Sequence, residues 1–304
     1  MDKEILDMNY LVMDVGGSAI KYALMNDSLE MIEKSSVKTP MDSLDSFKNV
    51  VKDIYEKYKD EVDGIAMSLP GLINKQTNKM QIPGKLEYNL GVDILKELKS
   101  VTTDRFTIEN DAKCAALCEV IYGSLKGTSV GAVCIIGSGI GGGITLGDNV
   151  LSGSHGFAGE FSYLSTKWKD YEGFNSKWCV ENAAFNLIEM IAKELGITKE
   201  ELDGPQAFKY CNEGNQKALK ALSEYCDILA MGLWNIQATV DPDKIAIGGG
   251  ISQQSILIEY INKSLDKFYS KMPIPIPRVN IVNCKYFNDS NLIGALANYK
   301  KIYG

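Results

Sequence analysis

Met13-Asp14-Val15-Gly16-Gly17-Ser18-Ala19-Ile20-Lys21 and Ile135-Ile136-Gly137-Ser138-Gly139-Ile140-Gly141-Gly142-Gly143-Ile144 share one plan. Each sets a glycine turn between two apolar runs of β-type residues, so each reads as a hairpin with a glycine tip. Glycine lacks a Cβ and tolerates positive φ, which lets successive backbone N–H groups close around an oxyanion. One strand–glycine turn–strand unit is a weak signal. Two in one chain point to two related lobes that grip a polyphosphate, the shape of an ATP site.

Bulk properties narrow the setting. At 304 residues the chain has room for about two domains, each with its own core. Apolar content of 45% and charged content of 23% are ordinary for a globular protein. A net charge of −7 without a basic stripe argues against nucleic acid as a partner. Met1-Asp2-Lys3-Glu4-Ile5 is not a basic start leading into an apolar run, so no secretion signal is expected. The apolar stretch Ile228 to Val240 is too short and too polar to span a bilayer, so no membrane partner is expected either. The 7 cysteines are odd in number and scattered through apolar segments, the usage of reduced thiols in a cytoplasmic protein. Cys114 and Cys118 lie one helical turn apart without a second ligand pair nearby, which favours core packing over metal binding.

The periodicities predict an α/β organisation. Residues 9–15, 19–25 and 29–34 read as three strands of a meander. Leu44, Phe47, Val51, Ile54 and Tyr58 mark an amphipathic helix. A strand over Val62–Leu69, a short helix over Val92–Leu98, a strand over Arg105–Ile108 and a helix from Asp111 complete a first lobe. The second begins with strands at Val130–Ile136 and Ile140–Leu146. Helices at about 180–195, 205–212 and 216–240 follow. A strand at 245–247 then runs into Gly248-Gly249-Gly250, with a strand at Val279–Val282 and a last helix over 290–301. No low-complexity linker intervenes, so the boundary is expected within or after a helix near 115–125, as a hinge. The domain division is therefore 1–117 as a small lobe and 118–289 as a large one, with the C-terminal helix of 290–304 packing back on the small lobe.

Several side chains fit phosphoryl chemistry. Asp14 ends a strand just before Gly16-Gly17 and faces whatever the turn binds. Carboxylate and phosphate repel, so a Mg²⁺ between them is the natural solution. Ser18 offers a hydroxyl donor and Lys21 a positive charge. The competing reading is a β-turn whose aspartate serves its own backbone. Asn110 and Asp111 stand between a strand and a helix, where a helix cap and a general base are both good readings. Neither has Glu or Gln three residues on, so a full capping box is absent. The base is assigned to Asp111 and substrate positioning to Asn110. Gly153–Phe161 has too many glycines for an element interior and reads as an ordered loop. In it Glu160 suits vicinal hydroxyls, or else is a solvated acid. His155, the 1 histidine of the chain, has no nucleophile-elbow serine to serve and is not assigned a role. Gly248-Gly249-Gly250 lets backbone lie against a nucleobase or ribose, or makes a tight strand–helix turn.

In this order the motifs resemble the ROK family of sugar kinases, within the actin-like ATPase superfamily. The likeness runs through Asp14-Val15-Gly16-Gly17, Ser68-Leu69-Pro70-Gly71, Glu109-Asn110-Asp111-Ala112 and Gly137–Gly143. It continues through Ala158-Gly159-Glu160 and Ile247–Gly250 to Leu292-Ile293-Gly294-Ala295. The resemblance implies a two-lobed actin-like, ribonuclease H-like α/β fold with an interlobe cleft. It implies ATP and Mg²⁺ as reactants and Asp111 as the base that deprotonates a sugar 6-hydroxyl. Asn110, Glu160 and Glu181, with Gly71, would hold the sugar. The turns Gly16–Ser18, Gly137–Gly139 and Gly248–Gly250 would hold ATP. A homodimer is in keeping with the family.

One departure matters. Many members carry a structural zinc on a histidine after the Gly-Glu loop and three cysteines of a Cys-x-Cys-Gly-x-x-Gly-Cys run. Here Tyr163 stands at the histidine position, and Glu172–Cys179 retains only the last cysteine. One thiolate cannot make a four-ligand site, so no zinc is expected. That histidine would also touch the sugar, so Tyr163 belongs among the acceptor-binding candidates. Members that phosphorylate β-glucosides also lack the zinc, which admits a glucoside or disaccharide as acceptor. Two other classes compete: a sugar-responsive transcriptional regulator, which needs a recognition-helix module, and an actin-like ATPase without a sugar. About eight residues precede the first strand, too few for that module.

Overall fold

A computed structural model describes residues 8–74, 76–165 and 172–304, so the reading of Met1–Ile5 lies outside the described residues. By their internal contacts these divide into two units. The first runs to Cys118 and also takes in Ser152–Ala158 and Asp289–Gly304; the second comprises Glu119–Leu151 and Gly159–Asn288.

The first unit holds β1 (Asn9–Val15), β2 (Ala19–Asn26) and β3 (Met31–Lys38), then α1 (Leu44–Tyr58) and β4 (Ile65–Leu69). A small hairpin follows, β5 (Leu72–Ile73) with β6 (Met80–Ile82), and then α2 (Ile94–Lys99), β7 (Phe106–Asn110) and the start of α3 (Asp111–Ile121). Its sheet has the order β3-β2-β1-β4-β7. β1 pairs antiparallel with β2 and parallel with β4. The central strand β4, Ile-Ala-Met-Ser-Leu, is buried at every position, as a parallel strand covered on both faces must be. Edge strand β3 is exposed and carries Glu33, Lys34 and Lys38, charges that discourage pairing with another chain. Helix α1 starts on Ser43, whose hydroxyl accepts from Ser46 N, and buries Phe47, Val51, Ile54 and Tyr58.

The second unit repeats this plan. It holds β8 (Val130–Ile136), β9 (Ile140–Leu146), β10 (Asn149–Val150), α4 (Trp178–Glu181), α5 (Ala184–Leu195) and α6 (Gly204–Asn212). After these come α7 (Gln216–Val240), β11 (Lys244–Gly248), α8 (Ser255–Tyr269) and β12 (Ile281–Asn283). The sheet order β10-β9-β8-β11-β12 matches the first sheet place for place, including two antiparallel and two parallel pairings. The glycine turns occupy equivalent positions, between β1 and β2 and between β8 and β9.

One predicted helix is corrected. The stretch 180–195 is not continuous: α4 stops at Asn182, which is fully buried. Its Oδ1 accepts from Trp178 Nε1 at 2.7 Å, its Nδ2 donates to the Tyr225 carbonyl at 3.2 Å, and its own carbonyl accepts the Tyr225 hydroxyl at 2.7 Å. A side chain and carbonyl committed to tertiary partners cannot also serve the helix ladder.

The last helix, α9 (Ser290–Tyr303), belongs to the first unit and packs on β1, β4 and β7. Gly294 lets it approach α3 closely: a Cβ there would lie 1.8 Å from the Cys114 carbonyl oxygen. All 7 cysteines are thiols outside any disulfide, buried except for the half-buried Cys179. Among the described residues no helix is long and apolar enough to cross a membrane.

Candidate active site

In the first unit, the turn between β1 and β2 has its carbonyls turned inward. Thr39 Oγ1 donates to the Gly16 carbonyl at 2.7 Å, and Thr39 N donates to the Ser18 carbonyl at 3.1 Å. Gly17 and Ser18 are exposed, and among the described residues their N–H groups meet no partner. This suits an anion. Asp14, 7% exposed, lies one residue inside the tip. Its Oδ1 accepts both the Ser68 hydroxyl at 2.9 Å and the Asn291 amide at 3.0 Å, which orients the carboxylate. Neither Ser68 nor Asn291 was assigned this role from sequence. Lys21 faces Asp14 across the β1–β2 ladder and is exposed. A second cation also escaped the sequence reading. The side chain of Lys85 lies across the tip, with Cδ 2.9 Å and Nζ 3.6 Å from where a Gly17 Cβ would stand.

β7 passes into α3 without a loop. Asn110 ends the strand, and its Oδ1 accepts from Lys113 N at 3.1 Å, the contact of an N-cap. Its Nδ2 donates to the Gly71 carbonyl at 2.9 Å. Of the two readings offered for this pair, the cap therefore falls to Asn110. Gly71 is itself wedged, since a Cβ there would stand 2.2 Å from the Ile82 carbonyl oxygen. Asp111 is the first residue of α3, and its Oδ1 accepts from Ala112 N at 2.8 Å. Burial pushes its carboxyl up to about 6, and the negative charge of Asp14 adds to the shift, while the Ala112 N–H opposes it. A carboxyl of that affinity is ionised near neutrality and still basic enough to accept a hydroxyl proton.

In the second unit, the Gly137 carbonyl accepts from Ala184 N at 2.9 Å, tying the turn to the start of α5. Gly139 lies against Cys179 of α4, its Cβ position 3.7 Å from that of Cys179. Burial raises the Tyr163 hydroxyl, with Glu160 and Cys179 adding to the shift, so these three form one neighbourhood. Glu160, Tyr163 and Glu181 are each half-buried, with Glu181 at the end of α4. The Gly248–Gly250 run divides in role. Gly248 packs on Ile135 and Cys284, and Gly249 packs on the Ile136 backbone, whereas Gly250 is exposed with open space around it. Close packing thus explains why the first two positions are glycine, whereas the third faces open space. No cluster of three or more His, Cys, Asp or Glu among the described residues could hold a metal ion.

Comparison with known proteins bears on the family of the chain. A solved ROK family protein from Streptococcus pneumoniae TIGR4, in complex with sucrose, is 29% identical. The match covers 97% of this chain and 99% of that one, with a TM-score of 0.84. The N-acetyl-D-glucosamine kinase of Haemophilus influenzae (strain 86-028NP) is 27% identical over 272 residues, 84% of this chain and 88% of that protein. The beta-glucoside kinase of Listeria monocytogenes serovar 1/2a (strain ATCC BAA-679 / EGD-e) is 26% identical over 294 residues, 96% of this chain and 97% of that protein. The model of the ROK family matches residues 10–302. With a matched span that takes in both sheets and both glycine turns, this chain belongs to the ROK family.

Proposed function

We propose that this chain is an ATP-dependent carbohydrate kinase that transfers the γ-phosphoryl group to a hydroxyl of a hexose or hexose derivative, the primary C6 hydroxyl by preference. The observation that carries the reading is Asp111: a carboxyl at a helix start, pushed up to about 6, in the same unit as an oriented Asp14. Asp111 accepts the acceptor's proton as its oxygen attacks phosphorus, and the leaving group is ADP. Phosphoryl transfer asks mainly for positioning and charge stabilisation. The N–H groups of Gly17 and Ser18, and those of Ser138 and Gly139, supply donors for phosphate oxygens, while the Gly16 and Gly137 N–H groups close their own turns. Gly250 offers backbone to the nucleoside. Mg²⁺ favours few carboxylates together with water and phosphate oxygens. Asp14 fits that demand, and the ion would neutralise charge on the transferred group. Glu160, Glu181 and Asn110 bind acceptor hydroxyls, Asn110 through what its cap leaves over, and Gly71 supports Asn110.

A glucoside or disaccharide acceptor is the second reading. It is favoured by Tyr163, a partly buried aromatic beside Glu160 in place of a histidine, and by the similarity to a sucrose-bound protein. A coupled ADP-release assay over glucose, fructose, N-acetylmannosamine, N-acetylglucosamine, allose and cellobiose tests both. Sugar-dependent release supports the kinase, and the preferred sugar decides between the readings. Release independent of sugar would replace them with a plain ATPase.

A further inference from the structure

Lys113 lies on the first turn of α3, two residues beyond Asp111, and is only 1% exposed. An ammonium group pays a large desolvation penalty in such a place unless it is hydrogen-bonded. Its Nζ donates to the carbonyl of Gly156, 43 residues on. Gly156 sits in the Ser152–Ala158 segment, which groups with the first unit although Leu151 and Gly159 on either side belong to the second. The segment closes on itself through Ala158 N to the Ser152 carbonyl at 3.2 Å and Gly156 N to the Gly153 carbonyl at 3.4 Å. Among residues 152–158 only Gly156 is buried. The single buried residue of the loop is the one that the buried lysine grips. Ser154 and His155 are exposed beside it and carry hydrogen-bonding groups suited to hydroxyls.

From this geometry we propose that Lys113 is a positioning residue that pins the Ser152–Ala158 loop against the first turn of α3, where the loop forms a wall of the acceptor sugar site. The recognition part of the inference rests on the kinase reading above; the anchoring part does not. As a positioning residue, Lys113 acts through this loop rather than on the reacting atoms or the nucleotide. Its loss therefore falls on sugar affinity and on loop order, while ATP affinity and the chemical step are largely spared.

The test uses the full chain with Lys113→Met, which keeps the apolar stem and removes the donor, and Lys113→Gln, which keeps a shorter donor. Losing a hydrogen bond from a charged group should raise the sugar KM by about 10- to 100-fold in the methionine variant. The ATP KM and kcat should stay close to wild type, and Lys113→Gln should fall in between. Hydrogen exchange of the 152–158 amides, measured without any ligand, should speed up in the same order. Unchanged exchange in Lys113→Met overturns the anchoring. A kcat collapse without a change in sugar KM, or equal rises for sugar and ATP, overturns the recognition role. Should Lys113→Met not fold, the wild type decides. Its 152–158 amides should slow on adding the preferred sugar and not on adding ADP, and equal slowing by ADP rejects the wall. A wild type that phosphorylates no sugar defeats the kinase reading and the recognition role together, while ligand-free exchange still decides the anchoring.

Discussion

Asn291 reaches back across 277 residues to donate its Nδ2 to Asp14 Oδ1 at 3.0 Å, sharing that oxygen with the hydroxyl of Ser68. The contact is made because Gly294, one turn further along α9, lets that helix press onto α3. The C-terminal helix therefore acts at the first glycine turn through the Asn291 amide. Replacing Asn291 by Ala removes a hydrogen bond to a charged group, a loss of about 1.5–3 kcal/mol in stability. It also frees the Asp14 carboxylate to rotate. Thermal unfolding should fall accordingly, and the Mg²⁺ concentration for half-maximal rate should rise. A variant that melts lower but keeps its Mg²⁺ dependence would leave Asn291 with a purely structural part.

Asp111 predicts a pH profile. Below about 6 its carboxyl holds a proton and cannot take another from the acceptor. The rate at limiting sugar should therefore climb as pH rises through about 6 and level off above it. Asp111→Asn should lower kcat by roughly 10²–10⁴-fold and abolish that acidic limb. An unchanged limb in the variant would assign the titration to another group.

Glu119 predicts a stability effect away from the chemistry. It is fully buried, and its carboxylate accepts from Ser124 N at 2.8 Å, Lys285 N at 2.8 Å and Tyr286 N at 3.3 Å. It so joins the turn after α3 to the segment after β12. Glu119→Ala leaves those N–H groups without their acceptor and should cost about 3 kcal/mol or more. Chemical denaturation would report it as a lower midpoint with the slope unchanged. A shift under about 0.5 kcal/mol, the size of an ordinary surface change, would refute the anchor.

How much of this was legible in the sequence depends on the range of each contact. The glycine turns announce the duplicated sheets because a tight turn leaves a local mark. The edges of α1 and α7 follow from Ser43 and Asn215, caps that act within three residues. β10 and the β5–β6 hairpin went unseen, since strands of two or three residues hold too few positions for alternation to register. The break at Asn182 was equally hidden, because its cause is Tyr225, a helix and more away. In the candidate site, Asp14, Asn110 and Asp111 stood out as polar residues at strand ends. Ser68, Lys85, Lys113 and Asn291 did not, as each acquires its role only from a partner that the fold brings to it.

Gly249 and Gly250 are neighbours with opposite demands, and the contrast tests their assignment. Gly249 has φ +93°, and a Cβ there would stand 2.0 Å from the Ile136 carbonyl oxygen, an atom fixed in the β8 ladder. Backbone strain and overpacking each cost about 1–3 kcal/mol, so Gly249→Ala should destabilise the protein by about 2–6 kcal/mol. At Gly250 a Cβ meets nothing within 4 Å, so Gly250→Ala should melt like the wild type. If a nucleoside lies on that open surface, the added methyl group should still raise the ATP KM, with the sugar KM unchanged. A Gly250→Ala enzyme with unaltered KM for both substrates would remove this turn from the nucleotide site and leave the whole run to packing.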